Sequence, residues 1–123
     1  MATREDIEHY LIQMGHPHET IADNIWIVRD AASIVISYEP PLVIFRSKLM
    51  DVPQKNREAF FRLLLDLNAS EMIHGAYGIE ENIVVLIDTL QSQNLDLNEF
   101  QATLDALLLA ITQDYQKLKS FRD

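Results

Sequence analysis

The chain has 123 residues, and 48% of them are hydrophobic, so it is long and apolar enough to fold around a sizeable core. It carries 19 acidic side chains against 10 lysines and arginines. The net charge of −9 argues against binding to nucleic acid or to an anionic membrane surface, both of which attract cations. The lack of cysteine excludes disulfides, iron–sulfur clusters, thiolate zinc sites and cysteine nucleophiles. We find neither a signal peptide nor an apolar run long enough to span a bilayer, so we expect one cytoplasmic domain over residues 1–123.

A first helix is predicted over residues 3–14. Thr3 and Asp6 have the spacing of a capping box, and Gly15 suits the end of the helix. The apolar residues recur at helical spacing and predict one buried stripe of Ile7, Tyr10, Leu11 and Met14. Ile12 lies off this stripe, so we expect it to be exposed or to contact a partner.

Five segments rich in β-branched and aromatic residues are predicted to be strands. They cover residues 24–30, 33–39, 42–49, 72–79 and 82–90. The first three are joined by connections too short for a parallel crossover, so they form an antiparallel meander. The IVVLI core of the last strand is apolar at every position, which indicates that both of its faces are covered or that one face meets a partner.

Two further helices complete the predicted fold. One covers residues 56–68, and the other begins after Asp96, a suitable capping residue, and extends to about Lys119. The predicted order is α-β-β-β-α-β-β-α, with three helices packed against a five-stranded antiparallel sheet. This is an α+β architecture.

The helix over residues 56–68 carries more apolar surface than packing on one sheet requires. On a helical wheel, one arc contains Phe60, Leu63, Leu64 and Leu67. Phe61 and Leu65 lie well outside that arc, so the helix has two apolar faces and needs two partners. The second partner is either another helix of the same chain, or a second copy or a client protein. We favour a second copy or a client, and we predict an interface formed by Phe60, Phe61, Leu64, Leu65 and Asn68.

Motifs for phosphate, nucleotide or RNA binding are weak or missing. Three glycines cannot build a P-loop or a dinucleotide-binding fingerprint, and neither pattern is present. The segment Gly75–Gly78 matches the GxxG pattern of an RNA-binding KH loop, but it lacks basic flanks and is predicted to be a strand. His16 and His18 flank a proline with no carboxylate cluster nearby, so we interpret them as loop residues and not as metal ligands.

The sequence also offers no obvious catalytic pair. Glu71 and His74 are three residues apart on a predicted strand, so their side chains point to opposite faces. We therefore expect no catalytic residue, no metal and no cofactor. A small-molecule site would require a pocket with convergent polar groups, for which His74, Tyr77 and Asp88 are the candidates.

The segment from residue 56 to residue 118 carries a resemblance to known proteins. A leucine-rich run ends a helix at Leu63–Asn68, and a strand with small residues follows at Gly75–Gly78. A valine-rich strand lies at Ile83–Ile87, and Asp96 opens a long amphipathic helix. This order resembles the YbjN family and the related type III secretion chaperone-like proteins (Tir chaperone, CesT). The N-terminal half is similar mainly in the order of its elements.

The resemblance implies the α-β-β-β-α-β-β-α fold, a dimer and no catalytic activity. Secretion chaperones of this fold bind an extended effector segment along apolar surfaces. The chain is therefore predicted to be a bacterial, chaperone-like protein that binds a client or effector protein as a homodimer. The alternative is a YbjN-like regulatory interaction protein without a secretion client.

Overall fold

The computed structural model describes residues 1–70 and 74–123. The helices are α1 (Arg4–Met14), α2 (Arg57–Ser70) and α3 (Leu97–Leu118), and α3 continues into a short 3-10 helix at Lys119–Phe121. The strands are β1 (His18–Ala22), β2 (Ile25–Arg29), β3 (Ser33–Glu39), β4 (Leu42–Asp51), β5 (Ala76–Glu80) and β6 (Ile83–Gln91). All three predicted helices are confirmed. The predicted strand over 72–79 begins at Ala76, and residues 72 and 73 lie outside the described part.

The strands form one antiparallel sheet in the order β1-β2-β3-β4-β6-β5, so the predicted number of five strands is wrong. The additional strand is β1, which lies at an edge and pairs with β2, with His18 opposite Val28. Four of its five residues are exposed, so it lacks the apolar pattern that predicts the other strands. Pairing holds it instead: Arg29 of β2 donates a 2.8 Å hydrogen bond to Glu19, and Asn24 adopts a left-handed φ of 63° in the connecting turn.

The predicted helix caps are present. The Thr3 hydroxyl accepts a 3.2 Å hydrogen bond from the Asp6 N–H, and the Asp6 carboxylate accepts a 2.8 Å bond from the Thr3 N–H. These bonds with Thr3 lower the pKa of Asp6 below its usual value. Gly15 ends α1 with a left-handed φ of 75°. At α3, the Asp96 carboxylate accepts a 2.8 Å bond from the Glu99 N–H.

The three helices and one set of alternate strand residues enclose a common apolar core. Its largest fully buried side chains are Ile7, Leu11, Trp26, Ile34, Ile36, Phe45, Phe60, Leu86, Phe100, Leu104, Leu107 and Leu118. The other face of the sheet carries a cross-strand row in which Ile27 lies opposite Val35. The row continues from Val35 through Arg46 to Ile87. Val85 lies on this second face and is fully buried as well.

Gly75 leads into β5 where the chain passes close to β6. Its φ of +78° lies in the left-handed region. A Cβ atom there would lie 2.8 Å from the carbonyl oxygen of Ile87 and 3.1 Å from Cδ2 of Leu107. Any side chain at this position would therefore have to displace the backbone of β6.

Gly75→Ala should lower the free energy of unfolding by about 2 kcal/mol or more, because the clash adds to the strain of the left-handed conformation. Gly15→Ala is the matched control. Its φ is +75°, but no atom of the described residues lies within 4 Å of the added Cβ. It should cost only about 1 kcal/mol. Urea unfolding followed by circular dichroism measures both, and equal losses would show that the contact with Ile87 costs nothing.

Candidate functional site

An apolar groove separates α2 from β5, which is the edge strand at the opposite end of the sheet from β1. We refer to it as the α2–β5 groove. Its volume is about 250 Å³. The lining residues are Phe61, Leu64, Leu65, Asn68, Tyr77, Gly78 and Ile79. Among the residues that the structure describes, the lining contains no carboxylate, amine or imidazole, so this part of the groove is suited to apolar contact and not to acid–base chemistry.

The five residues predicted as an interface on α2 have different surroundings. Phe60 is fully buried and Leu64 is 5% exposed, so both contribute to the core of this chain. Phe61 is partly buried against that core, whereas Leu65 is 67% exposed. Asn68 forms hydrogen bonds with β5. The helix therefore presents one apolar stripe to the core and a second to the groove, and no element of the described chain covers Leu65.

Phe61 is fixed by aromatic and cationic contacts. Its ring packs edge-on against Phe60 with the centroids 6.1 Å apart, and Phe60 packs against Phe121 at 5.3 Å. The Arg57 guanidinium lies 5.5 Å from the centroid of the Phe61 ring, within the range of a cation–π interaction. Phe61 therefore forms one wall of the groove, and Leu65 is the most exposed apolar residue in the described lining.

Asn68 connects α2 to the edge strand. Its side-chain oxygen accepts a 2.7 Å hydrogen bond from the Tyr77 N–H, and its Nδ2 donates a 3.1 Å bond to the Tyr77 carbonyl oxygen. The side-chain amide thus pairs with both backbone groups of one strand residue, as a neighbouring strand would. Tyr77 lies opposite Leu86 of β6, and its hydroxyl donates a 2.6 Å bond to Asp114 of α3. These contacts position β5 between two helices and the rest of the sheet.

The β5 side of the groove is not evident from the sequence. Tyr77, Gly78 and Ile79 were not predicted as interface residues, yet they line the groove opposite α2. Ile79 is 46% exposed and shares the groove with Leu65. One signal could have indicated them: a short connection between consecutive elements usually keeps those elements adjacent in space.

Of the three polar residues considered for a small-molecule site, His74 and Asp88 lie together, whereas Tyr77 has a different partner. His74 Nδ1 lies 3.8 Å from Asp88 Oδ2, whereas the Tyr77 hydroxyl bonds to Asp114. In the part of the chain that the structure describes, these groups therefore belong to two separate contacts. Glu71, the other member of the acid–base pair considered above, lies outside the described residues.

His16 lies between two carboxylates, and His18 contacts the backbone of His16. His16 Nδ1 lies 2.6 Å from the Asp30 carboxylate, and its Nε2 lies 3.4 Å from the Asp105 carboxylate. His18 Nδ1 lies 3.0 Å from the carbonyl oxygen of His16. Over residues 1–70 and 74–123, no group of three histidine, aspartate or glutamate side chains is arranged to hold a metal ion.

Three helices on one antiparallel sheet match the fold of a type III secretion chaperone, SycH of Yersinia pestis. The chain belongs to the CesT_Tir_1 family, whose model matches residues 1–123. This match confirms the resemblance found in the C-terminal half and extends it to the N-terminal half. A comparison with curated protein sequences gives no match. Within the described ranges, no helix is long and apolar enough to cross a membrane.

Solved structures share this fold at low sequence identity. A chain of the ExoU–SpcU complex from the type III secretion system of Pseudomonas aeruginosa is 16% identical, with a TM-score of 0.70 over 95% of this chain and 98% of that chain. YbjN from E. coli is 11% identical, with a TM-score of 0.69 over 94% and 93%. A chain of the HopA1–SchA chaperone–effector complex is 8% identical, with a TM-score of 0.70 over 92% and 92%. These matches confirm the α+β fold class.

Tyr77→Phe should destabilise the protein, because it removes the hydroxyl that donates to Asp114, a carboxylate only 2% exposed. A buried acceptor that loses its donor costs about 1–3 kcal/mol. Adding Asp114→Leu should recover part of that loss, because the buried carboxylate is then removed as well. Urea unfolding of both single variants and the double variant measures the coupling. Strictly additive losses would show that the 2.6 Å bond contributes nothing.

Proposed function

We propose that this protein is a non-enzymatic, chaperone-like module of the cytoplasm that forms a homodimer through the α2–β5 groove and binds a client protein. One observation carries the proposal. Leu65 is 67% exposed and Ile79 is 46% exposed, and the two line the same groove. Exposed apolar side chains that share a concave site are typical of protein-binding surfaces.

A second copy fits the α2–β5 groove better than a small ligand does. The described lining of the groove is apolar and offers few hydrogen-bonding groups, because the Asn68 amide is already paired with Tyr77. Each copy carries a net charge of −9, so two copies repel each other at long range and require apolar contact to associate. A stable interface buries roughly 800 Å² on each partner. The neighbouring exposed surface of α2 would therefore take part, around Leu65.

Leu65→Glu should convert the dimer to a monomer of 14.2 kDa, because it places a charge in the apolar contact. Leu109→Glu is the matched control: Leu109 is 57% exposed on α3 and lies outside the groove, so this variant should remain a dimer. Multi-angle light scattering at micromolar concentration gives the mass. A monomeric wild type, or a folded Leu65→Glu dimer, would contradict the proposed interface.

The client is proposed to bind as an added strand at β1. The Arg29 N–H donates a 2.8 Å bond to the carbonyl oxygen of Pro17, so the ladder bonds of this strand lie at Pro17 and Glu19. Because the N–H and carbonyl groups of successive strand residues point to opposite sides, the backbone groups of His18 and Thr20 point away from β2. An extended chain can pair with such an edge. Two solved relatives of this fold, ExoU–SpcU and HopA1–SchA, are complexes, and the second is a chaperone–effector complex.

Thr20→Pro should reduce client capture from the native cytoplasm, because proline removes the outward N–H of the β1 edge. Thr20→Val retains that N–H and is the control. Quantitative mass spectrometry of pull-downs compares the two. One dominant secreted protein that depends on Thr20 supports a chaperone. A signalling or transcription protein would instead favour a YbjN-like regulator. Equal capture by both variants would show that β1 is not the binding edge.

A further inference from the structure

The two edges of the sheet differ in how their outward backbone groups are used. At β1, no hydrogen bond beyond the ladder with β2 reaches the backbone of residues 18–22 from any described residue. At β5, the Asn68 side chain occupies both the N–H and the carbonyl of Tyr77. The β5 edge is therefore paired with a side chain of α2, whereas the β1 edge is open.

The pairing with Asn68 occupies outward backbone groups of β5 that could otherwise bond to another strand. Backbone groups alternate in direction along a strand, so in Ala76–Glu80 the outward positions are Tyr77 and Ile79. Asn68 occupies the backbone groups of Tyr77, so in this strand only the N–H and carbonyl of Ile79 remain for another strand. An added strand is held by successive backbone pairs, and a single residue supplies too few of them.

We propose that Asn68 closes the β5 edge to strand addition and is thereby a specificity-determining residue for partner binding. Partners on this side of the protein contact the side chains of the α2–β5 groove, and extended segments are excluded from its backbone edge. The inference rests on the proposed function in one respect, namely that partner proteins bind here at all. It assigns to Asn68 a role in choosing between two modes of binding.

Both members of the Asn68–Tyr77 pair are anchored to the rest of the protein. Asn68 lies in the last turns of α2, which is held to the core through Phe60 and Leu64. Tyr77 is held by its hydroxyl bond to Asp114. A strand that approached β5 would have to displace the Asn68 amide and leave its donor and acceptor without protein partners in the groove wall, which disfavours the exchange.

The test uses a fluorescein-labelled peptide with the sequence of residues 83–91, extended by two lysines for solubility. This is the sequence of β6, which pairs with β5 in the folded chain, so its side chains are compatible with those of β5 across a strand pair. Asn68→Ala should bind the peptide at least about fivefold more tightly than wild type, because the Asn68 amide no longer competes for the backbone N–H and carbonyl of Tyr77. Fluorescence anisotropy measures the affinity.

Amide exchange at Tyr77 locates the bound peptide. In Asn68→Ala, the Tyr77 amide should exchange faster than in wild type without peptide, and should slow again at saturating peptide. A purely structural role for Asn68 would give the faster exchange without the recovery. Ser70→Ala is the control on the same helix, because it removes a 2.7 Å bond to the Asp66 carbonyl without touching β5, and it should behave as wild type.

Asn68→Asp provides a second variant if Asn68→Ala does not fold. Its carboxylate still accepts from the Tyr77 N–H but cannot donate to the carbonyl, so its peptide affinity should lie between those of wild type and Asn68→Ala. A folded variant with unchanged affinity, or a wild type whose Tyr77 amide is already slowed by the peptide, would overturn the proposal. The measurement requires no second copy. A monomeric wild type would therefore contradict the proposed dimer and leave this test unaffected.

Discussion

The contacts of Tyr77 with three different elements position the β5 wall of the α2–β5 groove. The backbone of Tyr77 pairs with the Asn68 side chain, it lies opposite Leu86 of β6, and its hydroxyl bonds to the buried Asp114. Each contact comes from a different element, so one strand residue joins α2, the sheet and α3. Without the Asn68 pair, β5 would be an ordinary free edge, and the groove would lack a fixed second wall.

The apolar surface that α2 exposes costs free energy in water, and a binding partner that covered this surface would recover that free energy. Leu65 is exposed and adds nothing to the core, whereas its neighbour Phe61 is half-buried. The interior beneath them is already filled by Phe60. The Arg57 contact covers part of the Phe61 ring, but Leu65 has no comparable cover in the described chain. The acidity of the chain offsets the risk of nonspecific association, because like charges keep copies apart until apolar contact is made.

Local signals predicted most of the fold and half of the site. The bounds of β3 match the prediction at Ser33–Glu39, and Thr3 caps α1, because alternation and capping are local properties of the chain. The strand β1 was missed because pairing with β2, and not burial, maintains it. The exposure of Leu65 followed from the helical wheel. The contribution of Ile79 could not be predicted, because it depends on how β5 lies against α2 in three dimensions.

The position of the groove determines how a dimer could bind clients. The strands β1 and β5 are the two ends of a six-stranded sheet, and five strand spacings of about 4.8 Å place them roughly 24 Å apart. A second copy docked against Leu65 and Ile79 meets the end of the sheet opposite β1, so both β1 edges stay open. A two-fold dimer would then present two equivalent edges. A single client long enough to reach both would gain affinity from the effective concentration of the second site, without any new type of contact.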